Sequence, residues 1–574
     1  MGRKKREKKP LSKGRRIFRR ILLITGAVFL FIILLAEILF GPILYRYLFT
    51  QYSYKVNTVE TSLTAEQRLS DFDYMYEVVC REHPSRGLYE QAYGISYDDE
   101  YNRYRELILN CDSDFEYLSY LTCFLRILPG QHNYMTIPNY TNCAVNGMFS
   151  LTDIYGCQDV RDYAYSWQAD FRDDVEGYLD YNITGFKYVD GVYINVDLSA
   201  AVNNSRDYPY AQLISLDGKD PADMCFEFLS THVPHYDSGN ERFYRPVLYF
   251  NDGIGIRHEA ELLLTDGETI TIDLYEDPAF NLAISDGASS YPDLFGRDAG
   301  ESSEDAQAEV ITDIWDDNYV PTTYRIYTDA QRHLVYLDSL SCDTTEGERL
   351  VRDLTDALNE VDADTVILDV RSNGGGSSDF VTDQLLPVLF SHDVEFRYEV
   401  VGDKNDNTRH FYNVPFYYFY NLLASGSPIT TDADNFYVEE DMSVEGRAEG
   451  DYRIFVLTSQ DTFSSGDIIA RLCLQYDNAT VIGTNTGGEG ICGSPFNCYL
   501  PESRFMFNYT PSMNVEYPED NVYGTEPDIY IPFTVDECMR RAELRGEGVD
   551  YYSYESRLEW DQTLIAAVEM ADNS

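Results

Sequence analysis

Apolar residues recur every three or four positions in three early stretches, LSDFDYMYEVVCREHP, DDEYNRYRELILNC and DFEYLSYLTCFLRIL. That period predicts amphipathic helices. Thr64 with Gln67 fits a capping box opening the first, and Pro84 ends it. Between residues 150 and 330 the pattern shortens. GVYINVDLS, AQLISLDGKDPADM and ETITIDLY read as short strands separated by turn signals such as Asp217-Gly218. Residues 289–309 are acidic and read as loop. From about residue 323 the period changes again. HLVYLDSL, DTVILDV, RIFVLTS and TVIGT are continuous apolar runs, as expected of strands buried on both faces. GERLVRDLTDALNEV, DFVTDQLLPVLF and IIARLCLQY read as helices between them. Strand, helix, strand in alternation predicts parallel pairing through crossovers. The stretch 549–574 reads as a terminal helix.

The pattern differs at the amino terminus. Residues 1–20 hold eleven Lys/Arg and one acid, and Ile21–Tyr45 carries a single charge, Glu37. As a helix those 25 residues extend about 37 Å, against a hydrocarbon core of about 30 Å. A basic block directly before an apolar run predicts a retained span with a cytoplasmic amino terminus. A cleaved signal peptide is the rival reading, and no A-x-A site follows the run. The organisation expected is a basic segment (1–20), a transmembrane helix (21–45), a stalk (46–62) and a helical region (63–149). A β-rich insert with acidic loops (150–322), an α/β core (323–548) and a terminal helix (549–574) follow.

Charge sharpens this division. The chain of 574 residues has net charge −53, yet from Arg46 onward Lys/Arg number 33 against 95 Asp/Glu, a net of −62. A body so acidic excludes an electrostatic nucleic-acid binder. The whole chain's 44% apolar and 14% aromatic content supports a large core and excludes wholesale disorder. All eleven cysteines lie in this body. An exported location permits disulfides, and an odd number leaves at least one cysteine unpaired or intermolecular. Cys492 and Cys498 could close a small loop. No C-x-x-C and no Cys/His set with zinc spacing occurs, so neither metal nor cofactor is expected.

Candidate chemistry gathers at two strand ends. VLTSQDTFSSGDIIA places Ser464 at a strand-to-helix turn, where free amides and the helix dipole favour an alkoxide and an oxyanion. Taken alone, Ser464 or Ser465 also reads as an ordinary helix cap. Asp369-Val-Arg-Ser-Asn-Gly-Gly-Gly376 follows a buried strand, and its glycines let backbone amides approach a ligand. No Gly-Lys-Ser/Thr accompanies them, which excludes a P-loop.

Together these segments resemble the C-terminal-processing (tail-specific) serine peptidase family, in its tricorn-type and retinoid-binding-protein-like branches. DVRSNGGG resembles the family's D-x-R-x-N-x-G-G, and TFSSGD its nucleophile turn, with Ser464 as nucleophile. TVIGTNTGG, GTEPDIYIP and the LPGQHNY stretch around His132 resemble further family segments in family order, over roughly residues 65–535. The resemblance implies a ClpP/crotonase-like ββα core with a PDZ-like module inserted at about 185–280. It implies His132 as general base, taking the proton of Ser464 and returning it to the leaving amine. Another branch uses a lysine about 25 residues after the serine. Here that position is Glu489, which cannot replace a neutral amine as base, so the Ser/Lys dyad is absent. The resemblance places the third member, an acid in the family, at Asn521, with Asp520 and Glu519 beside it. Oxyanion donors are expected from the amides of Ser465 and of Gly375 or Gly376. Arg371 reads as an ion-pair residue shaping the loop, and Asp369 as support for the strand end.

The function expected is a membrane-anchored, extracytoplasmic serine endopeptidase acting on peptide or protein substrates through an acyl-enzyme. The alternative is a peptide-binding protein on the same fold with a decayed catalytic set. A crotonase-like acyl-CoA enzyme fits an exported acidic body poorly.

Overall fold

The computed structural model describes residues 28, 29, 31, 57–81, 83–136, 160–178, 180–195, 208–284, 321–403, 429–431, 435–492 and 495–573. Apart from residues 28, 29 and 31, the expected span 21–45 lies outside the described residues, as do most of the stalk, Cys143, Cys157 and the acidic stretch 289–309. Among the described residues no helix is long and apolar enough to cross a membrane.

A six-stranded sheet organises the carboxyl-terminal half. Tyr324–Asp329 pairs antiparallel with Leu334–Ser339. From there Leu334–Ser339, Thr365–Asp369, Arg453–Thr458, Ala479–Gly483 and Ile529–Tyr530 pair in parallel. Alternation along each strand sorts side chains to two faces. Val335, Leu337, Val366, Leu368, Ile454 and Val456 pack under the helices Gly347–Glu360 and Ser465–Cys473. Their neighbours Leu334, Tyr336, Ile367, Phe455 and Leu457 meet Leu564, Ala567 and Val568 of the last helix. Burial on both faces explains the unbroken apolar runs, and each buried Val, Leu or Ile contributes about 1.5–3 kcal/mol. The strands end together, so the loops after Asp369 and Thr458 share the sheet's carboxyl edge, where open α/β sheets bind ligands.

The β-rich insert closes on itself. Ile183–Val189, Val192–Asn195, Gln212–Leu216, Ile256–Leu263, Thr269–Glu276 and Val247–Asn251 form a closed barrel around Phe186, Tyr193, Leu213, Phe250 and Leu262. It meets the core beside the turn that carries Ser464, where the Tyr244 hydroxyl donates to Gln460 Oε1 at 3.0 Å. The Tyr530 hydroxyl also donates to Asp237 at 2.7 Å.

The helical region holds Ala65–Tyr76, Arg86–Tyr93, Tyr97–Asn110 and Asp114–Leu125. The Thr64/Gln67 capping box forms as expected. A further helix, Val160–Tyr178, stands where only strands and loops are expected. Its buried Ala164, Trp167, Phe171 and Val175 recur every three or four positions; Phe171 packs on Phe115, and Trp167 and Phe171 pack on Phe505. The terminal stretch forms two helices, Tyr554–Arg557 and Gln562–Asn573, and Val535–Gly546 forms another before them. Cys80, Cys111, Cys123, Cys225, Cys342, Cys473, Cys492 and Cys538 carry free thiols, so the Cys492–Cys498 loop is not closed.

Candidate active site

Ser464 follows Phe463 at the turn between the strand Arg453–Thr458 and the helix Ser465–Cys473. Its backbone lies at φ 54° and ψ −123°, a conformation rare and costly outside glycine. The turn is held from both sides. Phe463 N donates to Asn373 O at 3.0 Å, and Ser464 N donates to Gly488 O at 2.9 Å. Ser464 makes no side-chain cap bond, so the ordinary cap reading does not hold. Its Oγ instead lies 3.2 Å from His132 Nε2.

His132 arrives from far away in the chain. It sits between the helix Asp114–Leu125 and the short strand Tyr134–Thr136, which pairs antiparallel with Met506–Tyr509. Its ring packs on Phe463 at 4.6 Å between centroids. Neighbouring Asn133 is structural. Its amide donates to Pro129 O at 2.6 Å, and Thr510 N donates to its Oδ1 at 3.4 Å.

Glu489, not Asn521 or Asp520, stands behind the imidazole. His132 Nδ1 lies 2.6 Å from Glu489 Oε2, and the side chains are 13% and 1% exposed. The same oxygen accepts from Thr510 Oγ1 at 3.0 Å and from the His132 amide at 3.3 Å. Burial pushes this carboxyl up, but the bonds and charge of His132 and the other donors outweigh it and hold Glu489 below the ordinary glutamate range. Glu489 itself is at φ 61° beside Gly488 at φ 77°. Asp467, in the first turn of the nucleophile helix, fixes this loop by accepting from Gly490 N at 3.0 Å and Thr486 Oγ1 at 2.5 Å.

The expected third residues serve elsewhere. Asn521 Nδ2 donates to the carbonyls of Pro518, Asn514 and Tyr517, and its Oδ1 accepts from Asn514 N. Asp520 is ion-paired with Arg471. Both are thereby committed to the turn at 514–523 and away from His132. The signal for Glu489 was present in the sequence as an acid 25 residues after the serine, set between glycines. An acid there cannot replace lysine as base, but it can orient a histidine that is the base.

The glycine loop backs onto Ser464. A Cβ on Gly375 would fall 2.7 Å from Ser464 Cβ and 2.9 Å from Ser465 N. Gly375 N already donates to Asn373 Oδ1 at 2.9 Å, so this residue provides close approach and not the expected oxyanion donor. Among the described residues the amides of Ser465 and Gly376 donate to no protein group, and Ser465 Oγ donates to Gly376 O at 2.9 Å. Arg371 forms the expected ion pairs. It bridges Asp369 and Asp561, each at 2.6 Å, and Arg557 and Tyr336 add further bonds to Asp369. These cations drive Asp369 well below the carboxylate range despite its burial. Among the other histidines, His83 bonds Thr510 O and His258 pairs with Asp217 and Glu276.

Residues 335–531, which hold Ser464, Glu489 and the glycine loop, match the profile of peptidase family S41. The chain resembles this family over that region. It is a serine-type peptidase, a hydrolase with a mixed α/β fold and β-rich modules. No curated protein matches the chain by sequence. Among solved structures, mature CPAF complexed with lactacystin aligns at TM-score 0.47 and 15% identity, over 89% of this chain and 100% of that one. The photosystem II D1 C-terminal processing protease aligns at 0.31 and 11%, over 82% and 94% of the two chains. A putative peptidase from Parabacteroides merdae aligns at 0.31 and 17%, over 45% and 67%.

Proposed function

We propose that this S41 member is a membrane-anchored, extracytoplasmic serine endopeptidase with Ser464 as nucleophile, His132 as base and Glu489 as the orienting acid. The observation that carries the reading is the relay from Ser464 Oγ through His132 to a buried Glu489 carboxylate, at 3.2 and 2.6 Å. With Nδ1–H held by Glu489, His132 Nε2 is free to accept the serine proton. The alkoxide attacks the scissile carbonyl, and the oxyanion is received by the amides of Ser465 and Gly376. The imidazolium is stabilised by Glu489 and protonates the leaving amine. Water then attacks the acyl-enzyme through the same base.

The anchored location rests on the basic segment 1–20 followed by the apolar run 21–45, with the acidic body on the opposite side. Labelling of the full-length protein with a fluorophosphonate probe tests the chemistry. The expected result is labelling of wild type that is lost in Ser464→Ala and in His132→Ala. A folded wild type that does not label would overturn the peptidase mechanism in favour of a peptide-binding role. Protection of the body from an impermeant reagent in intact cells would overturn the location.

A further inference from the structure

Cys492 has no part in the relay, yet its thiol lies beside it. Sγ sits 3.2 Å from Glu489 O and 3.8 Å from Glu489 Oε2. One ring nitrogen of His132, a Glu489 carboxylate oxygen and Cys492 Sγ all lie within 4.8 Å of one another. Nothing in the chemistry of peptide hydrolysis requires a thiol in that place. From this geometry we infer a divalent-cation site on His132, Glu489 and Cys492 that takes zinc-class ions and switches the peptidase off. The inhibitory consequence rests on the function proposed above; the binding does not.

The donor set selects the ion. Imidazole, carboxylate and thiolate together suit zinc and its borderline-soft neighbours and suit magnesium or calcium poorly. In a tetrahedral zinc site, bonds of about 2.0–2.3 Å place ligand atoms about 3.3–3.6 Å apart. The Sγ–Oε2 separation of 3.8 Å is already close to that, whereas the Nδ1–Oε2 separation of 2.6 Å must open. The ion therefore takes the place of the hydrogen between histidine and glutamate. Protons and charge balance: the thiol releases one proton, and the Nδ1 proton is exchanged for one on Nε2. Carboxylate and thiolate then neutralise the dication, which suits a partly buried pocket.

The switch follows from the tautomer. A neutral imidazole metallated at Nδ1 carries its hydrogen on Nε2. Such an Nε2 donates to Ser464 Oγ and cannot accept from it, so the nucleophile is intact and its base is gone.

Cobalt(II) is the probe, because thiolate coordination gives a charge-transfer band. Full-length Ser464→Ala protein, which needs no activity, should bind cobalt with that band and release it to zinc. Cys492→Ala and the size-conserving Cys492→Ser should each weaken binding by about 10- to 100-fold or more. Absence of the band, or its persistence in both folded variants, would overturn the site. In a second arm, zinc should slow fluorophosphonate labelling of wild type by about 10²-fold, the share a general base contributes. A chelator should reverse this, and the Cys492 variants should resist it relative to their own metal-free rates. Zinc-insensitive labelling of a cobalt-binding wild type would overturn the switch. Wild type that labels under no condition would overturn the peptidase reading and leave the cobalt arm to decide the site.

Discussion

Gly375 and Ser464 are packed so closely that the smallest added side chain collides with Ser464. At φ 102°, Gly375 is also in a backbone region unfavourable to other residues. Gly375→Ala should therefore abolish fluorophosphonate labelling while the protein still folds, as judged by its melting transition. Replacing the two candidate acids separates their roles. Glu489→Gln should lower kcat by about 10⁴, the loss the equivalent change causes in a serine triad, with KM little altered. Asn521→Ala should instead lower the denaturation midpoint, through loss of buried hydrogen bonds worth about 1–3 kcal/mol, and leave kcat nearly intact. At this scale Ser464 and His132 were legible because each sits in a distinctive local stretch. Glu489 was not, because its role depends on which base it faces. The amide of Gly375 was misassigned because sequence does not say which way a backbone N–H points.

Elements deliver these residues, and one delivery is made by the last part of the chain. Asp561, just before the helix Gln562–Asn573, accepts both terminal nitrogens of Arg371, at 2.8 and 2.6 Å. Arg371 O in turn accepts from Ser459 Oγ at 2.7 Å, at the start of the nucleophile turn. Asp561→Ala leaves a partly buried guanidinium half unpaired. It should cost about 3–5 kcal/mol in urea unfolding and slow labelling of Ser464. The parallel strands were readable as apolar runs because both faces are covered. The helix Val160–Tyr178 was missed because its few apolar residues are spaced among many charges, although their period is helical. DFVTDQLLPVLF was read as a plain helix. It forms a π-turn, Phe380–Leu385, and then a single turn, Leu386–Leu389, that begins beside Pro387, whose nitrogen cannot donate.

The molecule as a whole carries an acid-sensitive joint between its helical region and its core. Buried His83 accepts from Ser85 N at 3.3 Å and donates from Nε2 to Thr510 O at 2.9 Å; burial pushes its pKa down to about 4. Above the ordinary value of about 6.5 the ring is neutral in both folded and unfolded chains, and stability is unaffected. Between about 6.5 and 4 only the unfolded chain binds the proton, so stability falls by up to about 1.4 kcal/mol per pH unit as pH falls. Urea midpoints across that range should show the slope, and His83→Gln should reduce it. The net charge of −53 should also raise kcat/KM for cationic peptides at low salt and lose that advantage at high salt, without changing kcat. The pairing of Tyr134–Thr136 with Met506–Tyr509 carries a consequence in time. A growing chain that has released Ser464 but not residue 509 lacks the strand that seats His132 beside the serine. Synthesis itself thus withholds activity until that strand emerges, and a chain truncated at residue 505 should bind no probe.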